Sequence, residues 1–241
     1  MMLVSICFVV LLQQAAGMPN ISGFSLLSTK DPSVQREIIN KHNDLRRMAH
    51  PSACNMLKMT WNDEVARNAE KWASQCRLTH STPEKRQIND FTGCGENLFM
   101  STNFTSWADV IQSLYDEVKD FRYGIGSVRT NAKIGHYTQL VWATSHQLGC
   151  AFAYCPHMNL QYYYVCHYCP EGNVNSKITP YKRGEPCADC TDHCDNGLCT
   201  NVCMHVDKVL NCNSLTRQQG CDAENIKEKC RATCECPFAI K

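Results

Sequence analysis

The residue best placed to do chemistry is His136, which lies between Gly135 and a run of tyrosine, threonine and glutamine. Polar neighbours of this kind can fix the tautomer of an imidazole, which then serves as a metal ligand or as a general acid or base. A single histidine is more often packed or solvated than functional. The stretch at residues 135–145 therefore becomes a candidate site only if other ligating or acidic residues join it.

Three further ionisable residues stand out along the chain. His80 lies in a predicted loop, and Glu96 lies in a Cys-Gly-Glu-Asn sequence, where a glycine and a predicted disulfide hold a carboxylate in a defined place. Glu117 projects beside the apolar stripe of a predicted helix. Either it flanks the stripe in solvent, or it is buried and needs a partner, because an unpaired buried charge is costly.

The elements that must position these side chains begin with two helices. Asp31 and Pro32 predict the start of a helix that reaches Arg47, with aspartate as the cap and proline in the first turn. Thr60 and Asp63 have the spacing of a capping box for a second helix.

A third helix is predicted from Ser106 to Phe121, and extended segments are predicted at Leu140–Trp142, Gly149–Tyr154 and Gln161–Cys166. Helices that precede strands, without regular βαβ alternation, favour an α+β domain with a largely antiparallel sheet. In the last segment, three consecutive tyrosines would alternate between the two faces of the strand.

Composition and the first residues bound the class of protein. The 241 residues carry 24 Lys and Arg against 23 Asp and Glu, a formal net charge of +1, which does not suggest a nucleic-acid-binding surface. Residues 1–17 are typical of a secretory signal peptide, with an apolar run and then small residues. No later stretch is long and apolar enough to span a membrane. We therefore expect a secreted, extracellular protein.

Cysteine content supports export. One of the 18 cysteines lies in the signal peptide, and so many in a secreted chain indicate disulfides. Cys166-x-x-Cys169 and Cys187-x-x-Cys190 are also compatible with zinc ribbons, but disulfides are favoured behind a signal peptide. The odd number that remains predicts an unpaired thiol. Asn20 and Asn103 each open a glycosylation sequon.

The C-terminal quarter is organised by its cysteines. Asn173–Glu185 is rich in polar residues, glycine and proline and is predicted to be a linker. Ten cysteines follow between Cys187 and Cys236. A segment of this length cannot bury much core, so covalent cross-links must hold it together.

Several motifs in order resemble one family. The stretch at residues 135–145, together with residues 164–173, is similar to the paired signature of the CAP superfamily. Residues 55–59 and 94–98 agree with it, and residues 186–201 narrow the resemblance to the cysteine-rich secretory proteins. The resemblance implies an α-β-α sandwich, the CAP domain, at residues 30–175. It also implies a disulfide hinge at 186–200 and a helical cysteine-rich tip at 203–241.

For function, the resemblance implies a large cleft lined by His80, Glu96, Glu117 and His136. Two neutral imidazoles, His80 and His136, are expected to bind Zn²⁺ while the two carboxylates orient the rings. Two histidines alone are an incomplete ligand set, so we expect modest affinity that falls as the histidines become protonated. No organic cofactor is implied.

The resemblance also implies a disulfide pairing and leaves Cys54 as the free thiol. The implied pairs are Cys76–Cys155, Cys94–Cys169, Cys150–Cys166, Cys187–Cys194, Cys190–Cys199, Cys203–Cys236, Cys212–Cys230 and Cys221–Cys234.

A non-enzymatic role is favoured over a hydrolase, because the sequence has neither a Gly-x-Ser-x-Gly nor a His-Glu-x-x-His motif. The resemblance implies action on cell surfaces, through ion-channel regulation or through sperm maturation and gamete interaction in fertilization. The implied partners are a cell-surface protein or ion channel and, alternatively, a sterol or other lipid.

Phe238 is the only aromatic residue from Met204 to Lys241, so plugging of a channel pore by the tip is not expected. Lys227, Lys229 and Arg231 form either a local basic patch or a solvated helix face.

Overall fold

A computed structural model of the chain describes residues 21–88, 93–174, 176–205 and 207–240. The predicted signal peptide at residues 1–17 and the sequon at Asn20 lie outside these ranges. Asn103, which opens the other sequon, is exposed. Across the described ranges, every helix falls short of the length and apolarity needed to cross a bilayer.

The regular elements alternate between short helices and strands. The helices are α1 (Ile21–Ser25), α2 (Pro32–Arg47), α3 (Asp63–Ala73), α4 (Trp107–Tyr115), α5 (Gly135–Leu140), α6 (Cys212–Gln219), α7 (Glu224–Lys229) and α8 (Arg231–Glu235). The strands are β1 (Thr60–Trp61), β2 (Gly95–Ser101), β3 (Phe121–Arg122), β4 (Gly126–Ser127), β5 (Gln147–Tyr154), β6 (Tyr162–Cys169), β7 (Cys194–Asp195) and β8 (Leu198–Cys199). Single 3-10 turns occur at Pro83–Lys85, Asp116–Asp120 and Thr191–His193.

The central sheet has the order β1-β5-β6-β2, in which only the β1–β5 pair is parallel. Along β6, Tyr164 packs with α2 and α4 on one face, whereas Tyr163 packs with α3 on the other. The predicted alternation of these tyrosines is therefore confirmed. So is the predicted α+β fold, because the sheet lies between two helical layers in an α-β-α sandwich.

Helix α2 begins as predicted. Asp31 accepts a hydrogen bond from the backbone N–H of Ser33 at 2.7 Å, Pro32 occupies the first turn, and the helix ends at Arg47. The predicted capping box of the second helix is wrong. Thr60 lies in β1, and α3 is capped instead by Asn62, whose side chain accepts from two backbone N–H groups. Thr60 pairs with Gln147 of β5, so it is in an extended strand and cannot serve as a helix cap.

Two predicted boundaries in the middle of the chain also differ. The third helix ends at Tyr115 and tightens into the 3-10 turn at Asp116–Asp120, so Glu117 lies on that turn and Phe121 begins β3. The predicted strand Leu140–Trp142 does not exist. Leu140 ends α5, and the N–H groups of the next two residues bond back to carbonyls of that helix.

The predicted linker at Asn173–Glu185 is held against the large domain. Tyr181 is buried, and Arg183 forms an isolated β-bridge with Ala53. The hinge continues this contact, because Lys58 donates to Asp195 and Leu57 bridges to Cys199.

Within the tip, α6, α7 and α8 surround a small core of Cys212, Ile226 and Cys230. Arg231 donates to Glu235 at 3.0 Å, and Lys227 lies 3.9 Å from the same carboxylate. Two of the three cations in the predicted basic patch are therefore partly neutralised.

Disulfides connect sixteen cysteines in the eight pairs that the family resemblance implies. Cys150–Cys166 joins β5 to β6, and Cys94–Cys169 joins the residue before β2 to the end of β6. Five other pairs lie in the hinge and the tip. Cys54 is the free cysteine of the described residues, and it is buried.

Candidate functional site

One cleft brings the four predicted site residues together. It has a volume of about 520 Å³ and lies beside the start of β2, the 3-10 turn before β3 and the first turn of α5. His80, Glu96, Glu117 and His136 all line it. The other lining residues are Arg86, Gly95, Asn97, Ala132, Lys133, Ile134, Gly135, Gln139, Glu171, Gly172, Asn173 and Lys177.

The first half of the site is the pair of His80 and Glu96. The His80 side chain, in the loop between α3 and β2, is 62% exposed, whereas the Glu96 side chain on β2 is 1% exposed. His80 Nδ1 lies 2.8 Å from Glu96 Oε1. Since an ionised carboxylate only accepts, Nδ1 carries the proton, and in the neutral ring Nε2 keeps its lone pair. The pair therefore fixes the tautomer that leaves Nε2 available as a ligand.

Glu96 is ionised because its neighbours stabilise the charge. Burial alone would raise the pKa of Glu96, but hydrogen bonds from His167, His80 and Ser81 bring that pKa well below its usual range. Ser81 donates its backbone N–H to Oε1 at 2.9 Å and its hydroxyl to Oε2 at 2.7 Å. The guanidinium of Arg86 lies 3.8 Å from Oε1. The carboxylate is thus fixed from several sides.

Sequence reasoning missed His167, which lies behind Glu96. Its Nε2 lies 3.0 Å from Glu96 Oε2, and the two residues are register partners on β6 and β2. The ring is fully buried, and burial lowers the pKa of His167, so it donates to Glu96 as a neutral imidazole. The alternation of β6 was the signal: it places residue 167 on the face of Tyr163 and Val165, toward α3.

The second half of the site is the pair of His136 and Glu117. His136 Nδ1 lies 2.8 Å from Glu117 Oε1, while Oε2 accepts the backbone N–H groups of His136 at 2.8 Å and Tyr137 at 3.2 Å. Burial alone would raise the pKa of Glu117, but these hydrogen bonds and the nearby imidazole lower it. The carboxylate therefore has partners, and it orients the ring of His136 while capping the first turn of α5.

The first turn of α5 is tied to the chain that follows β6. Asn173 Nδ2 donates to the carbonyl of Gly135 at 2.9 Å, and the hydroxyl of Thr138 donates to Asn173 Oδ1 at 2.6 Å. Gln139 packs so closely on β2 that a Cβ at Gly95 would lie 1.9 Å from Gln139 Oε1. Glycine at this position lets the helix and the sheet approach and so sets the position of His136 in the cleft.

These residues fit a metal ion with nitrogen ligands. The Nδ1–H group of His80 donates to the buried carboxylate of Glu96, and that of His136 donates to the partly buried carboxylate of Glu117. This leaves Nε2 of each neutral ring for coordination, as in carboxylate–histidine–zinc triads. Three cations, Arg86, Lys133 and Lys177, line the same cleft and oppose a positive ion. Two imidazoles are a donor set that Zn²⁺ accepts, and the neighbouring cations would weaken its binding.

A second group of potential ligands does not form a metal site. The sulfur atoms of Cys187, Cys190 and Cys199 lie within 4.8 Å of one another. Each of them is already in a disulfide, so none is a thiolate.

The described lining residues of the cleft include no Ser, Thr, Cys or Tyr. The side chains there that can transfer protons are the two histidines, the two lysines and the carboxylates, including Glu171. Acid–base chemistry or metal binding is therefore available from this part of the chain, whereas a hydroxyl or thiol nucleophile is not provided by the residues named above.

Comparison with known proteins agrees with the fold. A family model described as Cysteine-rich secretory protein family matches residues 39–168, and a second model, Crisp, matches residues 187–241. Cysteine-rich secretory protein 2 of Homo sapiens is 55% identical over 219 residues, which cover 90% of this chain and 89% of the relative. Cysteine-rich secretory protein 1 of Mus musculus is 50% identical over 215 residues, covering 89% of this chain and 87% of the relative.

Solved structures extend the similarity to the large domain. The crystal structure of NaASP2 with Zn²⁺ superposes with a TM-score of 0.59 at 31% identity, covering 70% of this chain and 96% of that one. Na-ASP-1 gives a TM-score of 0.60 at 30% identity, covering 76% of this chain and 51% of that one. Family models match both the large domain and the C-terminal cysteine-rich segment, and relatives that are 50% or more identical cover about nine-tenths of the sequence. The chain therefore belongs to the cysteine-rich secretory protein family.

Proposed function

We propose that this protein is an extracellular binding protein that takes up Zn²⁺ in its cleft and acts at cell surfaces without catalysing a reaction. The observation that carries the zinc proposal is the paired geometry of the cleft. Both His80 and His136 are oriented through Nδ1 by a carboxylate, at 2.8 Å in each case. Glu96, the partner of His80, is buried, and Glu117, the partner of His136, is partly buried. Family membership and eight disulfides fit an oxidising, extracellular compartment.

Zinc binding is supported by the chemistry of these ligands and by one relative. Zn²⁺ accepts imidazole nitrogen readily and tolerates an open coordination sphere completed by water. Within the chain, His80 and His136 would hold the ion, and Glu96 and Glu117 would keep the rings in the ligating tautomer. NaASP2, which shares 31% of its aligned residues with this chain, has been crystallised with Zn²⁺.

Isothermal titration of the untagged, disulfide-bonded protein with Zn²⁺ at neutral pH tests the proposal. We expect saturable binding that is lost in His80→Ala/His136→Ala. The matched control is His157→Ala, which removes an exposed histidine outside the cleft and should leave the titration unchanged. Equal heats for the wild type and the double variant would refute the site.

A non-enzymatic role is tested by a screen of peptide and ester substrates. We expect no turnover above that of the Glu96→Gln variant, because the cleft lining named above supplies acids and bases without a hydroxyl or thiol nucleophile. Turnover in the wild type that disappears in Glu96→Gln would instead establish a hydrolase that uses this cleft.

Contact with a cell-surface protein is assigned to the tip, because that part exposes large apolar side chains. Leu210 is 94% exposed and Phe238 is 88% exposed. Three disulfides hold the segment that carries them, so these side chains are presented without a folding cost at binding. The partner is proposed to be an ion channel, or a sperm or egg surface protein in sperm maturation and gamete interaction.

The surface role is tested with the whole protein. We expect it to bind to sperm or to change a calcium or potassium current, and we expect Leu210→Ser/Phe238→Ser to weaken that effect at least tenfold. Leu26→Ser, which removes an exposed leucine of the large domain, is the matched control. If both variants act like the wild type, the tip is not the contact surface.

A further inference from the structure

The mouth of the cleft is bordered by an exposed surface that combines apolar and cationic side chains. Ile125 is 60% exposed, and Val128 and Ile178 are also exposed. We call this surface the rim surface. Its six residues are Arg122, Ile125, Val128, Lys133, Lys177 and Ile178.

The two segments of the rim surface are joined by close backbone contacts. The N–H of Gly124 donates to the carbonyl of Ile178 at 2.8 Å. Gly126 has a φ of +91°, and a Cβ there would lie only 2.9 Å from Ile178 Cγ2. Glycine is required by both the left-handed conformation and the close approach. The β3–β4 hairpin therefore packs on Ile178 and forms one continuous surface with it.

The base of the hairpin is anchored in the large domain. Tyr123 donates its hydroxyl to the carbonyl of Tyr181 at 2.8 Å, and the N–H of Val128 donates to the carbonyl of Asp120 at 2.8 Å. Phe121 packs against the main core. The exposed aliphatic side chains are thus held outward on a fixed base.

The surface carries an excess of positive charge. Asp120 is paired with Arg129, and Glu117 is occupied by His136 and the first turn of α5. Arg122, Lys133 and Lys177 are exposed and form no ion pair with any other described residue. Three positive charges that are not neutralised by an ion pair therefore flank the aliphatic residues.

We propose that the rim surface docks on a lipid bilayer that carries anionic headgroups. Exposed isoleucine and valine enter the boundary between headgroups and acyl chains, while flanking lysine and arginine bind the anionic headgroups. A soluble polyanion would use the cations and gain nothing from the aliphatic residues. Three small aliphatic side chains bury little area, so binding requires the electrostatic contribution as well.

Docking of this kind sets the orientation of the cleft. Lys133 and Lys177 line the cleft and also belong to the rim surface. The cleft therefore opens toward the bilayer when the rim surface is bound. Docking through the rim surface would hold the protein at a cell surface, and it requires neither zinc in the cleft nor contacts made by the tip.

Vesicle sedimentation with the whole, disulfide-bonded protein and a chelator present tests the proposal. We expect binding to vesicles of phosphatidylcholine and phosphatidylserine, decreasing with salt, and little binding to phosphatidylcholine alone. Each cation near an anionic surface strengthens binding about fivefold. Partitioning should therefore weaken by about 100-fold in the triple variant Arg122→Gln/Lys133→Gln/Lys177→Gln. Ile125→Ser/Ile178→Ser should weaken it by about tenfold.

The matched control removes three cations from the opposite helical layer, at and just after α3, as Arg67→Gln/Lys71→Gln/Arg77→Gln. It should bind like the wild type. Equal binding to both vesicle types, or equal losses in the control and the rim variant, would overturn the proposal. A loss with the charge variant but none with the serine variant would overturn it, because the cations would then bind anionic groups without insertion of the aliphatic side chains. If the rim surface enters the bilayer, a tryptophan placed there leaves water. The fluorescence of Ile125→Trp should therefore shift to the blue on the anionic vesicles, whereas that of Met48→Trp, at an exposed position outside the rim surface, should not.

Discussion

His167 donates its Nε2 proton to Glu96 Oε2 over 3.0 Å, from one strand of the central sheet to the next. The two halves of the cleft are therefore built differently. Glu96 is held by a buried imidazole and by Ser81, whereas Glu117 is held by backbone N–H groups at the start of α5. The first half depends on a side chain inside the sandwich, so it can be changed without altering any group that lines the cleft.

Substitution of His167 should destabilise the protein and release the ring of His80. His167→Leu removes a donor to a buried carboxylate, and we expect the free energy of unfolding to fall by about 2 kcal/mol. His167→Gln can place an N–H near the position of Nε2, so its loss should be smaller. Urea unfolding measures stability, and ¹⁵N chemical shifts of His80 report its tautomer. Equal losses for the two variants would mean that the hydrogen bond is not the cause.

Buried histidines should make stability decline in mild acid. His42 is fully buried between the carbonyl of Ile38 and the hydroxyl of Tyr168, and burial lowers its pKa from 6.5 to about 4. The unfolded chain therefore takes up the proton first, and stability is lost as pH falls from 6.5 to about 4. The contribution of His42 is about 3 kcal/mol.

Urea unfolding across this pH range checks the prediction. In His42→Gln the loss of stability between neutral pH and pH 4 should be smaller by the contribution of this one group. Burial lowers the pKa of His146 and His167 as well, so some loss should remain in the variant. An identical pH profile for the variant and the wild type would contradict the assignment to His42.

The layers of the fold could be predicted because they depend on periodic patterns. Asp31 and Pro32 mark a helix start by local chemistry alone, and the alternating tyrosines of β6 mark a strand with two buried faces. The residues of the cleft came from motifs that resemble a known family. The alternation along β6 gives the face on which His167 lies, but its contact with Glu96 depends on register with a strand about 70 residues earlier in the chain, which no motif signals.

The wrong prediction for Leu140–Trp142 has a nonlocal cause. An apolar run of this length is typical of a strand, but its carbonyls find a donor in Arg46, about a hundred residues away in the sequence. The guanidinium supplies the hydrogen bonds that a neighbouring strand would otherwise donate to these carbonyls. No local pattern signals that a cation on α2 will satisfy this loop.

Arg46 should accordingly be among the residues most sensitive to substitution. Its buried guanidinium donates to five carbonyls, and burial lowers its pKa to about 9. Arg46→Met removes all of these hydrogen bonds, although backbone N–H groups still donate to the carbonyls of Trp142 and Ala143. We expect a loss of about 4 kcal/mol in urea unfolding. Arg46→Lys should recover little of it, because an ammonium has three donors in a different geometry. Wild-type stability in the lysine variant would contradict this account. The acceptors are the carbonyls of Leu57, Leu140, Trp142, Ala143 and Ser145.

The thiol of Cys54 should be unreactive in the folded protein. It is 2% exposed, and Gly184 packs so closely on it that a Cβ there would lie 2.9 Å from Cys54 Cβ. Burial raises the pKa of the thiol, which reduces the reactive thiolate. We expect iodoacetamide to leave the native protein unmodified and to add one label after unfolding without reductant, as seen by intact mass. Cys54→Ala should accept no label under either condition. If the unfolded wild type also accepts none, Cys54 is bonded to another molecule, and the account of a shielded thiol is wrong.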